Sequence, residues 1–143
     1  VSLGAADSSH RKLDDLKARV DAANETENSV FVSIHMNKFP VAKYSGLQVY
    51  YSKNNAMSRP LAESVQSTVR VSLQPQNSRE IKAAGSDIYV LNNSLCPAIL
   101  VECGFLSNEK ELSSLRDENY QKRLAACIFA AVTNALANKN TTV

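Results

Sequence analysis

The chain has 143 residues, 44% of them hydrophobic and 21% charged, which suits one globular domain. Sixteen basic residues against 14 acidic ones leave a net charge of +2, which gives no electrostatic argument for nucleic acid or an anionic membrane surface. No apolar run reaches the length needed to span a bilayer.

Residues 1–9 are small and polar and are expected to be irregular, with Ser8 or Ser9 capping a helix. Leu13, Leu16, Val20 and Ala23 recur at helical spacing, with Lys12, Asp15 and Arg19 on the other face. This helix is expected to end at 25–28. Val30 to Ile34 is β-branched and aromatic with one Ser, the pattern of a central strand, and it ends at His35. A loop holding Pro40 leads to a second strand over 46–51. Asn54, Asn55 or Ser58 caps the next helix, Pro60 fits its first turn, and Leu61, Ala62, Val65, Val69 and Leu73 form its apolar stripe. Residues 79–84 read as a short strand or an extended loop, Gly85-Ser86 as a turn, and Ile88 to Leu91 as a strand.

The next stretch organises the rest. Pro97-Ala98-Ile99-Leu100-Val101 is uncharged and mostly aliphatic, long enough for a strand buried on both faces and short for a helix. Glu102 appears where the run ends, and Gly104 permits the turn that leaves the sheet. Asn108 and Glu111 stand at capping-box spacing, so a helix over 109–115 follows. A longer helix starts near Asp117 and carries Tyr120, Leu124, Cys127, Ile128, Ala131 and Leu136 on one side. Residues 138–143 read as a fraying polar tail.

These elements alternate in the α/β manner, with a sheet flanked by helices on both faces. The first helix has no strand before it, and the first residue is Val. The expectation is a single domain over 1–143 that lacks its opening β-α portion. Three cysteines cannot all pair within the chain. Cys96 and Cys103 are an odd offset apart and face opposite ways in one extended segment, so buried free thiols are expected.

Chemistry in an open α/β sheet sits at the carboxyl ends of strands, and both His35 and Glu102 are placed there. Each has a plainer reading: His35 as a structural histidine, Glu102 as a solvated rim acid or the partner of an Arg. Asn37 is a candidate for orienting a ligand or substrate, or a loop hydrogen-bonder. His10 is expected to be solvated, as are Glu25 and Glu27 at the helix end. No phosphate loop, Walker sequence or nucleophile elbow occurs.

Val101-Glu102-Cys103-Gly104-Phe105-Leu106-Ser107-Asn108, taken with Val30-Phe31-Val32-Ser33-Ile34-His35-Met36-Asn37, resembles the zinc-dependent N-acetylmuramoyl-L-alanine amidases of bacterial cell-wall turnover. The likeness is strongest to the germination-specific branch, which acts on spore cortex peptidoglycan, and it runs from about Leu13 to about Ala137. It implies an α/β sheet flanked by helices, a catalytic acid at Glu102 and one zinc ligand at His35. Two further ligands, a His in a His-Gly-Gly turn and a Glu after it, are implied before Leu13 and are not in this chain. The resemblance also implies zinc as cofactor, peptidoglycan as substrate, and an extracytoplasmic location in the cell wall or spore cortex. A missing N-terminal segment or a protein partner would supply what this chain lacks. The alternative is a catalytically incomplete fragment or relative that serves as a peptidoglycan- or protein-binding module.

Overall fold

The computed structural model describes residues 3–138. Helix α1 spans Leu3–Glu25, so it begins well before the serines expected to cap it, and the stretch expected to be irregular is helical from Leu3. Strand β1 is Phe31–Asn37, β2 is Gln48–Tyr51, and helix α2 is Ser58–Ser72. Met57 holds the N-cap position of α2, and Asn55 Oδ1 accepts the Met57 N–H at 3.0 Å. Pro60 lies in the first turn of α2, and Leu61, Ala62, Val65 and Val69 form its buried stripe.

The short strand β3 is Lys82–Ala83, followed by helix α3, Tyr89–Asn93. The Ile88 to Leu91 run was expected to be a strand, and α3 corrects it. A four-residue apolar run cannot be assigned by periodicity alone. Here the carbonyls of Ile88 and Val90 accept from the N–H groups of Asn92 and Ser94, and Asn92 Nδ2 ties back to the Gly85 carbonyl. Helical closure therefore uses the backbone groups that a strand would have left for a neighbour.

Strand β4 is Ala98–Phe105, helix α4 is Glu109–Arg116, and α5 is Glu118–Asn138. Residues 139–143, most of the tail read as fraying, lie outside the described residues. The sheet order is β1-β4-β2-β3. Strand β1 is parallel to β4, β2 is antiparallel to β4, and β3 is parallel to β2. The buried β4 is central, whereas β1, expected to be central, is an edge strand among the described residues. Its β-branched composition fits packing on its faces, and that property does not count neighbours.

Two apolar layers sandwich the sheet. Val49, Ile99, Val101 and Cys103 pack with the buried faces of α2 and α5. On the other side Ala98 and Leu100 pack with Val20 of α1 and Val90 and Leu91 of α3. The expected coverage of both faces by helices is thus observed.

Candidate active site

Strand alternation decides which side chains share a face of the sheet. The parallel register places His35 opposite Glu102, so both project from one face at the same end of neighbouring strands about 4.8 Å apart. Because β2 runs the other way, its first residue, Gln48, lies on the far side of Glu102. Cys103, one residue on, faces the α2 and α5 layer. Its thiol is pushed up to about 12, first by burial and then by the Glu102 charge.

Both strands run past the residues of interest, His35 by two residues and Glu102 by three. Gly104 lies inside β4, and the turn follows at Leu106 and Ser107, which corrects the expectation of a turn at Gly104. The glycine serves a close approach instead. A Cβ there would stand 3.2 Å from the Glu111 carboxyl carbon. Glu111 Oε2 accepts the Phe105 N–H at 2.8 Å, and Oε1 accepts the Gly46 N–H at 2.7 Å. Gly46 has φ +94°, the left-handed region, where a side chain is strained. Glu111 thus pins the end of β4 to the entry of β2. Asn108 caps α4 as expected, its Oδ1 accepting from Lys110 and Glu111 N–H. The capping box is half made, because the Glu111 carboxylate is spent on the sheet.

His35 is exposed and Glu102 is half-buried. Glu102 Oε2 is buried with no hydrogen-bond partner among the described residues, as is Arg70 Nε, and such an atom calls for a partner from outside the chain's own groups. Burial raises the pKa of the carboxyl, and the neighbouring His35 pulls it partly back. Tyr50 shares this face, and its phenol is raised by burial and by the Glu102 charge. Beyond His35 the register with β4 shifts, and Asn37 pairs with Phe105. The Asn37 carbonyl accepts the Leu106 N–H at 2.8 Å, so the backbone of this residue closes the end of the strand pair.

Gln48 went unnoticed in the sequence. It is buried, its Nε2 donates to the Glu80 carbonyl at 2.8 Å, and its Oε1 accepts from an Arg79 Nη at 3.2 Å. The available signal was a polar residue inside an apolar strand. His10 lies on α1 and is exposed, and Glu25 and Glu27 are exposed, as expected.

A catalytic zinc takes three protein ligands and an open position. Among the described residues no three of His, Cys, Asp and Glu converge to hold a metal ion. His35 fits one coordination position, and the unpartnered oxygen of Glu102 fits a base beside it. The described residues do not fit a full ligand set.

The N-acetylmuramoyl-L-alanine amidase family model matches residues 5–134, and the chain belongs to that family. It is 33% identical over 131 residues to the germination-specific N-acetylmuramoyl-L-alanine amidase of Bacillus subtilis, across 92% of this chain and 54% of that protein. The CwlD amidase from Clostridioides difficile, solved in complex with the GerS lipoprotein, superposes with a TM-score of 0.84 at 36% identity, across 90% of this chain and 65% of that one. An N-acetylmuramoyl-L-alanine amidase from Clostridium difficile 630 gives a TM-score of 0.79 at 35% identity, across 87% and 66%. The chain thus spans about half the length of the B. subtilis relative.

Proposed function

We propose that this chain carries the catalytic acid, Glu102, and one zinc ligand, His35, of an enzyme that cuts the amide bond between N-acetylmuramic acid and L-alanine in peptidoglycan, with spore cortex as the substrate. The observation that carries the reading is the pairing of an exposed imidazole with a carboxylate whose buried oxygen lacks a partner. Family membership supports the type of bond, and likeness to a germination-specific amidase supports the cortex and an extracytoplasmic setting. The C. difficile relative solved with a lipoprotein supports a protein partner.

Zinc is proposed as the cofactor, with the ligands besides His35 coming from outside these 143 residues. When bound, it supplies a Lewis acid that polarises the scissile carbonyl and acidifies a water. Glu102 takes a proton from the attacking water and delivers it to the leaving amine. A carboxylate raised by burial is a stronger base than an exposed one, which suits that task near neutral pH.

The test is release of new L-alanine amino ends from cortex peptidoglycan by the full-length protein, with metal content measured on the same sample. Glu102→Ala is expected to slow turnover by about 10² to 10⁴ and to keep the metal. His35→Ala is expected to lose it. Metal lost from Glu102→Ala would make that residue a ligand, and undiminished turnover would remove it from the chemistry. Zinc titrated into the 143-residue chain alone should bind weakly, since affinity comes from several converging ligands.

A further inference from the structure

A cavity of about 270 Å³ lies on the β2 and β3 side of the sheet, and one of its walls is Gln48, the residue opposite Glu102 in the register. Its walls include Tyr44, Gln48, Tyr50, Arg79, Lys82 and Phe105. Two positive charges stand here, and none of the ion pairs among the described residues involves either of them. Arg79 is held in place all the same. Its Nε donates to the Ser45 carbonyl at 2.6 Å, and one Nη donates to Gln48 Oε1 at 3.2 Å. Its guanidinium carbon lies 4.6 Å from the centre of the Phe105 ring and 5.8 Å from that of Tyr44. A guanidinium has five N–H groups, so this anchoring leaves donors to spare. A planar cation oriented by two hydrogen bonds and a ring, and lacking an acid of its own, is built to receive a carboxylate.

We propose that Arg79, flanked by Lys82, binds a free carboxylate of the peptide stem and so selects stems by their acidity. This rests on the amidase reading and deepens it. Gln48 lies opposite Glu102 in the register, and Lys82 lies opposite Tyr50 on the next strand. Arg79, bonded to Gln48, therefore lies one strand spacing of ~4.8 Å from the acid, and Lys82 lies two spacings across and two residues along, on the order of 12 Å by backbone position. An extended peptide advances about 3.3 Å per residue, so the carboxylate belongs to the second or third stem residue beyond the scissile bond.

The experiment uses full-length protein carrying Glu102→Gln, which holds peptide without turnover. Calorimetry compares two N-acetylmuramoyl peptides that differ only in whether the stem carboxylates are free or amidated. The free form is expected to bind roughly ten- to a hundredfold tighter, as for a hydrogen-bonded charge pair. Arg79→Gln should abolish that preference, with the free form losing far more affinity than the amidated one. Lys82→Gln, at an exposed position, should shrink the preference a few-fold without touching the fold. Equal binding of the two peptides, or a preference that survives Arg79→Gln, would overturn the assignment. Should Arg79→Gln unfold, a preference unmoved both by Lys82→Gln and by salt would overturn it instead. Hydrolysis is assayed in parallel with Glu102 intact. A retained binding preference with neither peptide cut would sink the amidase reading and leave Arg79 as a carboxylate site.

Discussion

The two faces of the sheet are closed to different extents. On one, α2 and α5 lie over β2 and β4, and Val49, Ile99, Val101 and Cys103 have almost no exposure. On the other, the apolar cluster against α1 and α3 ends at Leu100 and Tyr50, and beyond it lie Glu102, Gln48 and His35. The first face holds the fold together. The second stops being apolar two to three residues before β1 and β4 end, and there polar groups are partly desolvated without being sealed. A carboxylate placed at that boundary has a raised pKa and still meets water. Substitutions on the first face should therefore show in stability, and those at the end of the second in chemistry.

The sharpest way to break this comparison is a cavity on each side. Leu61→Ala in α2 should cost about 2–5 kcal/mol, because its site is fully enclosed and collapses poorly. Leu91→Ala in α3 is equally buried but belongs to the smaller cluster, so its loss should fall at the low end of that range. Denaturant unfolding of both variants checks the order, and a larger loss for Leu91 would reverse the assignment of the main core.

Asn108→Ala removes the cap of α4 and should cost about 0.5–2 kcal/mol, read from the same unfolding curves. Since Glu111 in that helix pins β4 to β2, the Gly46 and Phe105 amides should also exchange faster with solvent.

Even the closed face has one open margin. Along β1 the exposed Ile34 and Met36 line a groove of about 670 Å³ with Ile128 and Phe129. Ile34→Ser in this chain alone should change stability by no more than about 0.5 kcal/mol, as for an exposed position. A clearly larger loss would show that this margin is buried in solution.

The smallest effect on stability is expected at Glu102 itself. Burial raises its folded pKa, so the ionised form weakens the fold above that pKa. With metal chelated, Glu102→Gln should melt at a slightly higher temperature than the unsubstituted chain at neutral pH. The gain should vanish as pH falls below the carboxyl's unfolded value, where both side chains are neutral. A gain that persists in acid would assign the effect to packing.

Much of this was legible in the residues. The five uncharged residues before Glu102 pointed to a buried strand, because the run is long enough for a strand covered on both faces and short for a helix. The stripe of α2 and the cap at Asn108 followed from side-chain periodicity and from the hydrogen bonds a short amide makes. Alternation along the chain placed Cys103 away from Glu102. These are local properties, set by neighbours in sequence. The edge position of β1, the helix at Tyr89–Asn93 and the reach of Glu111 to Gly46 depend on which segment arrives alongside. So does the alignment of Gln48 and Arg79 beside Glu102, since it takes an antiparallel β2 and the chain after α2 to bring them together. Two residues could be singled out from the sequence because each closes an apolar strand run. That they stand opposite each other on neighbouring strands, with Gln48 and Arg79 close by, was decided by strand order and register, which no local pattern encodes.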